Sequence, residues 1–570
     1  MFWQCSASRI DCYSPPTAVN WAFGVWGQFA GDGYWFEPNN HIEPHSLYYS
    51  QLSERVGQGA MKQAHLLPFE YRSTSSPSIE LAQEITVQAK IPAIQLKEWI
   101  EQANIRQPIP ISSEGAVKIY EIKFEEEQEI INFRRVELKN GWLITGNSSI
   151  TGSKIGIQWW KGTTRPYEVS GAGPHITRYV PGRTGKGLTD DLTEVSNWML
   201  KNNILAIEHN YGLWYDRRRD DHEMVSRIDG DVWPPFYELP FARSGEGIAW
   251  DGLSKYDLTK PNHWYWMRLK QFADLADQKG LLLIHQSYFQ HNILEAGAHY
   301  ADFPWRTANN INETGFPEPP NYAGNKRIFM AEQFYDVSHP VRAQLHKQYI
   351  RQCLENVSNN TNVIQLTGKE YTGPLHFVEF WIDVIREWEN ETEKNVLIGL
   401  SCTKDVQDAI LADPIRLQTI DIIDIRYWQY RDDGSIYAPK GGQNLSPRQH
   451  ARLVHPGKVS FESVYRAVSE YRIKYPDKAV IYSNQLTKNQ QWAVFIAGGS
   501  MVDLPADIDP DLLVRAAKMN PVEMAEDQEK TWGLSDSEKE YIIYVPASKT
   551  TKIDYRNPDW NILKSSHSSS

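Results

Sequence analysis

The chain has 570 residues, which exceeds one ordinary domain of about 100–200 residues and favours a large domain with one or two smaller units. A hydrophobic content of 41% suffices for full cores, while a mean hydropathy of −0.53 without a long apolar run argues against a membrane span. The net charge of −12 makes nucleic acid a poor partner, because no net basic field is present to displace its counterions.

The cysteine pattern argues against a metal or redox centre. Cys5, Cys12, Cys353 and Cys402 include no CxxC pair, so we expect no zinc and no cofactor, and a Cys5–Cys12 disulfide is left open. The first residues show no basic stretch followed by an apolar one, so no signal peptide is recognised and the compartment is left undecided. The start resembles the middle of a longer chain, which leaves open that a signal has been lost.

The N-terminal third is expected to be rich in β-structure. Residues 1–75 carry many aromatic, Gly and Pro residues, with 26–33 predicted as strand and turn. This stretch resembles the closing turns of a pectin-lyase-like β-helix, the alternative being an irregular lobe packed on the larger domain. In residues 76–170, alternating segments such as 117–122 and 141–146 indicate a second, small β-rich domain.

From about residue 175 the pattern becomes regular, because short apolar runs alternate with amphipathic helices. One helix opens at Asp190 and Asp191, and another ends at Gly280. Eight strands are predicted, at 175–180, 204–207, 281–284, 363–366, 396–400, 422–426, 479–483 and 493–499. Short apolar strands that alternate with helices imply a parallel sheet, and eight such units predict an α/β fold, a (β/α)₈ TIM barrel over residues 171–510.

The last segment, residues 511–570, is expected to be a short C-terminal β segment with a tail. Residues 541–546 resemble the first strand of a small β-sandwich, although too little chain follows to complete one. Residues 565–570 are of low complexity and are expected to be disordered.

The polar residues that follow the predicted strands are the candidate site, because barrel enzymes place their active sites at the C-terminal ends of the strands. These residues are Arg178, Glu208, His209, His285, Gln286, Glu370, Cys402, Asp424, Arg426, Asn484 and Asp503. The sequence shows neither a Ser-His-Asp spacing nor an HExxH motif. Acids near aromatic residues instead suit glycosidic cleavage, in which one carboxyl protonates the leaving oxygen and a second attacks or activates water.

The region resembles the clan A (β/α)₈-barrel glycoside hydrolases, and more loosely the apiosidase-like barrels of bacterial polysaccharide degradation. Clan A ends its fourth strand with an acid/base Glu, and Glu370 follows the predicted fourth strand 363–366. Residues 336–340, ahead of a long helix, also resemble the family's approach to that strand. The resemblance implies a glycan substrate, and periplasmic or secreted location. Lys369 departs from the pattern, since the family has Asn before this Glu.

The predicted seventh strand departs further, because clan A carries its nucleophile there and residues 482–485 include no carboxylate. Three explanations stay open. The strand count is wrong by one, or the second carboxylate comes from elsewhere, with Glu208, Asp424 or Asp432 as candidates, or the barrel descends from hydrolases without being one. Each acid also has a structural interpretation, as a partner in an ion pair.

Substrate binding is assigned to residues on the same rim: Arg178, His209, Trp214, Arg217, His285, Arg426, Trp428 and Asn484. The charged loop 214–223 is either a solvated patch or a receptor for a uronate or sulfate group. His209 and His285 suit sugar hydroxyls better than a metal, because no third ligand stands at a fixed spacing. The prediction is a glycoside hydrolase for a poly- or oligosaccharide, with an anionic (uronic or sulfated) glycan left open as the substrate. The alternatives are a uronate polysaccharide lyase and a non-catalytic carbohydrate-binding barrel.

Overall fold

The computed structural model describes residues 1–14, 19–40, 42–56, 79–80, 83, 87, 100–101, 135–157, 171–179, 184–212, 236–249, 253–290, 303–316, 331–369, 371–438, 457–526, 529–536 and 540–545. The chain divides into two compact units. One contains Met1–Glu129, Pro181–Arg183 and Asp229–Asp231, and the other contains the remaining residues up to Ser570.

The first unit contains two ladders of parallel strands. Phe2–Trp3, Trp21–Phe23 and Tyr34–Phe36 form one sheet, and Ser6–Asp11 pairs with Trp26–Ala30 in a second. Ile10, Cys12, Ala22 and Val25 form a small buried core, and the helix Leu47–Val56 follows. All four cysteines of the chain are free, so Cys5 and Cys12 are not bonded to each other. The link to pectin-lyase-like proteins stays a prediction.

The centre of the second unit is a curled sheet of seven parallel strands whose spatial order follows the chain. The strands are β1 (Ser153–Ile155), β2 (Ile204–His209), β3 (Leu282–Phe289), β4 (Val363–Lys369), β5 (Leu397–Leu400), β6 (Ile422–Ile425) and β7 (Ala479–Tyr482). Every residue of β2, β3, β6 and β7 is buried. Continuous apolar strands are expected where helices cover a parallel sheet, and the predicted mixed α/β class is confirmed.

Helices separate these strands along the chain. They are α1 (Leu192–Lys201), α2 (His263–Lys279), α3 (Pro340–Glu355), α4 (Leu375–Thr392), α5 (Lys404–Ala412), α6 (Phe461–Lys474) and α7 (Lys488–Ile496), with Pro510–Ala516 following and a short helix at Ala331–Phe334. Asp191 caps α1 by accepting from the backbone N–H groups of Thr193 and Glu194. Gly280 ends α2 at φ 72°, a left-handed conformation that glycine adopts without strain. Both helix boundaries were predicted from these residues.

Two predicted strands were wrong. Arg178–Tyr179 pairs antiparallel with Phe236–Tyr237 outside the sheet, and β1 takes its place as the first strand. Residues 493–496, predicted to begin the last strand, belong to α7, whose start carries a capping box between Thr487 and Gln490. An apolar run buried on all sides fits a buried helix as well as a strand, so periodicity could not separate the two. The fourth strand keeps its number.

A short segment, residues 500–502, links the two ends of the sheet. The Ser500 N–H donates to the Val480 carbonyl at 2.8 Å, and the Gly152 N–H donates to the Val502 carbonyl at 2.9 Å. Thr151 and Val502 form a parallel bridge. The segment forms a bridge rather than a strand, so the eighth strand, and with it a complete barrel, stays a prediction.

The N-terminal ends of the strands are covered by a small antiparallel sheet of Val136–Lys139, Trp142–Thr145 and Ser148–Ser149. Its Val136 and Leu143 belong to the same buried cluster as the sheet residues Leu205, Ile364 and Ile422. The Val136 N–H donates to Asn362 Oδ1 at 2.8 Å, directly before β4 begins. These strands and β1 belong to the same compact unit as the parallel sheet. The separate domain expected over residues 76–170 stays a prediction. This apolar floor leaves the C-terminal ends of the strands for polar residues.

Three further sheets are small, and all are antiparallel. Phe241–Arg243 pairs with Tyr256–Pro261, Gln429–Tyr430 pairs with Ile436–Tyr437, and Asn520–Glu526, Glu529–Ser535 and Tyr541–Tyr544 form a sheet of three strands. The last of these strands packs on α6, where Phe461 and Tyr544 stack with ring centroids 4.8 Å apart. Tyr541–Tyr544 is therefore the third strand of its sheet rather than the first of a sandwich. No helix in the described part of the chain has the length and apolar character needed to cross a membrane.

Candidate active site

Five charged side chains lie together at the C-terminal ends of four strands, and we call them the charged cluster: Lys154, Glu208, Lys369, Asp424 and Arg426. Alternation along the strand explains the direction of Asp424 and Arg426. Ile422 lies in the cluster of apolar residues inside the sheet, so Asp424 and Arg426, two and four residues further, point to the same side. The apolar interior of the sheet thus ends in a charged layer.

Glu208 and Arg426 form the central ion pair. Arg426 Nη2 donates to Glu208 Oε1 at 2.5 Å, and Nη1 donates to Oε2 at 3.1 Å. The two side chains are 9% and 7% exposed, so little water screens their charges. A planar guanidinium matches the two carboxylate oxygens in this two-bond geometry, which fixes the orientation of Glu208.

Asp424 completes the environment of Arg426. Arg426 Nε donates to Asp424 Oδ2 at 2.8 Å. Asp424 is fully buried, and its Oδ1 has no hydrogen-bond partner among the described residues. Burying an unsatisfied carboxylate oxygen is costly, so this atom marks a place where a water or ligand would bind favourably.

Lys369, the last residue of β4, also contacts Glu208. Its Nζ lies 3.2 Å from Glu208 Oε2, and its side chain is 25% exposed. Burial would raise the pKa of Glu208, but Arg426, Lys369 and Lys154 outweigh it and hold that pKa well below its usual range. Glu208 is therefore ionised at neutral pH.

His209 and His285 lie on the other face of the sheet. Successive residues of a strand point to opposite sides, so His209 faces the helices while Glu208 faces the interior. The ring of His209 lies 5.7 Å from that of Tyr265 in α2 and 6.4 Å from that of His285. His285 Nδ1 is hydrogen-bonded to Gln365 Oε1 at 2.8 Å. The structure thus does not bring these two predicted sugar ligands together with the charged cluster.

Burial keeps both histidines neutral. It lowers the pKa of His209 well below its ordinary value and that of His285 to about 4. Among the described residues, no group of three or more His, Cys, Asp or Glu side chains is arranged to hold a metal ion.

Two other predicted ligands are occupied by structural contacts. Arg178 is buried and its Nη2 donates to Asp190 Oδ2 at 2.6 Å and to the Gly173 carbonyl at 2.9 Å. Trp428 is also buried, with its Nε1 donating to Gln407 Oε1 at 2.8 Å. Neither presents the exposed surface that a substrate contact needs.

Asn484 lies closer to the cluster, since it follows β7 and is partly buried. Its Nδ2 donates to the Trp428 carbonyl at 3.2 Å. Glu370, Trp214 and Arg217 lie outside the described residues, so their predicted roles stay predictions. Glu370 follows directly in sequence on Lys369, which contacts Glu208.

Sequence reasoning missed Lys154 and Ser483. Lys154 Nζ donates to Ser483 Oγ at 2.8 Å, which joins β1 to the residue after β7. Lys154 lies in a strand of three residues without an apolar run, so no pattern distinguished it. Ser483 is the last residue of a predicted strand, but a lone serine with no base near it in sequence gives no signal.

The protein is thus an α/β protein with charged side chains at the C-terminal ends of a curled parallel sheet. This is the position at which α/β-barrel enzymes carry their active sites. The chain belongs to the DUF6298 family, described as "Domain of unknown function (DUF6298)", whose model matches residues 33–519. No curated protein matches the chain.

Several solved structures that resemble the chain are glycoside hydrolases. A family 5 glycoside hydrolase from Bacteroides vulgatus has 12% identity and a TM-score of 0.29, with 65% of this chain and 61% of that chain covered. The family 5 mannosidase from Rhizomucor miehei has 12% identity and a TM-score of 0.31, with coverages of 64% and 81%. The family 1 β-glucosidase from Thermotoga maritima has 10% identity and a TM-score of 0.27, with coverages of 64% and 86%. Likeness at this level does not decide the activity of the chain.

Proposed function

We propose that the protein is a glycoside hydrolase that cleaves a poly- or oligosaccharide at the C-terminal ends of the strands, within a (β/α)₈ barrel closed by residues 500–502. The observation that carries the proposal is the ion-paired Glu208, whose Oε2 lies 3.2 Å from Nζ of Lys369, the residue directly before Glu370. Since Glu370 follows β4 in sequence, we expect its carboxyl at the same end of the sheet as Glu208, and two such groups suit glycosidic cleavage when one is held ionised and the other protonated.

The two acids receive different roles in this proposal. Glu370 is the general acid, because it follows the fourth strand, where clan A hydrolases carry theirs. Glu208 is the second carboxylate, which attacks the anomeric carbon or activates water, because its ion pairs keep it anionic. A fixed negative charge also stabilises a transition state with oxocarbenium character.

Asp424 competes with Glu208 for the second role. Asp424 is fully buried, whereas the Glu208 side chain keeps 9% of its surface exposed. Asp424 also lies within β6 and accepts a hydrogen bond from Arg426 Nε. We therefore assign Asp424 to positioning Arg426, and through it Glu208.

We propose an anionic glycan, uronic or sulfated, as the substrate class. Lys154, Lys369 and Arg426 face two carboxylates in the charged cluster, so basic groups exceed acidic ones there. The predicted contribution of the loop 214–223, with Trp214 and Arg217, adds to this basic character.

The deciding experiment measures reducing-sugar release from neutral and acidic polysaccharides by the wild type and by Glu370→Gln, Glu208→Asp and Glu208→Gln. We expect both Gln variants to lose more than about 100-fold in activity, as is typical for removal of a catalytic acid or base. Glu391→Gln, at the exposed end of α4, is the matched control and should keep full activity. Unchanged release by Glu370→Gln would contradict the proposal.

A second candidate is a carbohydrate-binding protein without activity, favoured by Ser483, which stands after β7 where clan A has a carboxylate. This candidate predicts glycan affinity with no product. Unsaturated products that absorb in the ultraviolet would instead indicate the uronate lyase.

A further inference from the structure

Lys154 and Ser483 form a contact that the proposed catalytic roles do not use. Lys154 lies in β1 and Ser483 directly follows β7, so the 2.8 Å bond between Nζ and Oγ joins the two outermost strands of the sheet. Both side chains are partly buried and stand on the interior side, since Ser483 follows the interior residue Ile481 by two positions. Lys154 belongs to the charged cluster, so the pair extends this cluster to Ser483 after β7.

The Lys154 ammonium has donors to spare. An ammonium has three N–H groups, and the bond to Ser483 uses one. Among the described residues, no carboxylate oxygen lies within ion-pair distance of its Nζ. Glu208 and Asp424 influence Lys154 electrostatically without an ion-pair contact to its Nζ, and both carboxylates accept from Arg426.

A partly buried cation that makes no direct contact with a carboxylate offers a favourable place for an anion. Burial accordingly lowers the pKa of Lys154 from its ordinary value. Ser483 can accept from Lys154 through oxygen while its own O–H donates to a ligand. The ammonium and the hydroxyl therefore offer two adjacent donors at one place.

We propose that Lys154 and Ser483 form a subsite that binds the carboxylate of a uronic acid residue in the glycan. The inference rests on the proposed function, and it names the substrate class of that site. Two adjacent donors match the two oxygens of a carboxylate. It also gives a physical reason for the absence of an acid after β7, because a carboxylate there would neutralise Lys154 and repel the substrate.

The test is calorimetric titration, which reports binding whether or not the protein turns over its ligand. The ligands are oligosaccharides of galacturonate or glucuronate, each compared with its methyl-esterified counterpart, and one sulfated oligosaccharide. We expect the wild type to bind a free acid at least about tenfold tighter than the ester, the scale of one lost charged hydrogen bond. A preference for the sulfated ligand over both acids would overturn the assignment to carboxylate.

The variants separate the subsite from general effects on the fold. Lys154→Met and Ser483→Glu should both abolish the preference for the acid, while Lys154→Arg keeps part of it. Lys260→Met removes an exposed lysine outside the parallel sheet and should change nothing. Thermal melting of each variant shows whether it is folded, and Ser483→Ala is the milder replacement if Ser483→Glu is not.

Two results would overturn the subsite: equal affinity of the wild type for acid and ester, including no binding of either, or a preference that survives in folded Lys154→Met. Hydrolysis of neutral glycans without acid preference would contradict the subsite and leave the hydrolase intact. Acid-specific binding that depends on Lys154, without product release, would support the subsite and contradict the hydrolase.

Discussion

Arg426 donates two hydrogen bonds to the carboxylate of Glu208 across the interior of the sheet. Arg426 follows β6, and Glu208 lies in β2. Three other strands lie between β2 and β6 in the order of the sheet, so the pair connects parts of the wall that share no backbone hydrogen bonds. The pair therefore has two consequences. It fixes a carboxylate where a substrate would bind, and it couples the chemistry of the site to the stability of the sheet.

Replacing Arg426 by Met should destabilise the protein by about 3–5 kcal/mol, because Glu208 and Asp424 would remain as buried charges without their main partner. Chemical denaturation measures this loss. The double variant Arg426→Met with Glu208→Gln should recover part of it. Lys347→Met, which breaks a more exposed ion pair between α3 and α4, serves as the control and should cost less than about 1 kcal/mol. An Arg426→Met variant as stable as the wild type would contradict the burial of this network.

Arg178→Met should lower stability by roughly 3 kcal/mol, because it leaves Asp190 buried without its guanidinium partner. Folded Arg178→Met should bind glycan as the wild type does, since Arg178 is held by Asp190, Gly173 and Leu188. Melting temperature and calorimetric titration check the two statements. A selective loss of glycan binding at unchanged stability would restore the substrate role predicted from the sequence.

Stability should fall as the pH is lowered from about 6.5 towards 4, the window set by the ordinary histidine pKa and the folded-state values. Burial lowers the pKa of His285 to about 4 and that of His346 to about 3, so the unfolded chain takes up protons in this window while the folded chain does not. From about one pH unit above 6.5, these two groups are almost entirely neutral in both states and contribute little pH dependence.

The measurement is the free energy of unfolding between pH 7.5 and 4.5, with His285→Gln expected to flatten the curve. Replacing the exposed His263 by Gln at the start of α2 is the matched control, and it should leave the slope unchanged. A slope that is the same in wild type and His285→Gln would show that His285 is not buried in neutral form.

Under the proposed hydrolase, the loss in Glu370→Gln should depend on the leaving group. Glycosides with an activated aryl leaving group need little protonation, so they should lose far less activity than natural glycans. Glu208→Gln should lower kcat/KM for both substrate types by a similar factor, because the second carboxylate acts on the sugar ring. Comparison of kcat/KM for the two substrate types distinguishes these roles, and an equal loss on both substrates in Glu370→Gln would remove its assignment as general acid.

The sequence predicted most strands of the parallel sheet, but it did not predict which side chains contact each other across the interior of the sheet. The apolar run that ends in Glu208 and His209 marked β2 and its C-terminal end, as the corresponding runs marked β3 to β7. The Glu208–Arg426 contact depends on the curvature of the whole sheet, which no local pattern encodes. Alternation along β2 could have separated His209 from Glu208, because neighbouring residues on a strand face opposite sides.

Short elements were the second source of error. Ser153–Ile155 spans only three residues with a lysine at its centre, so the pattern that identifies buried parallel strands was absent. Parallel pairing with β2 defines it as a strand, and that pairing exists only once the chain has folded. The opposite error at residues 493–496 has the same origin, because packing rather than periodicity decides between a buried helix and a buried strand.

The small sheet of Val136–Lys139 and Trp142–Thr145 covers the apolar interior of the parallel sheet at the N-terminal ends of its strands. Shortening the protein to residues 171–510, the extent of the predicted barrel, would remove this small sheet together with β1 and its Lys154. The apolar side chains Leu205, Ile364 and Ile422 would then meet water from below. A soluble recombinant form should therefore begin before residue 135.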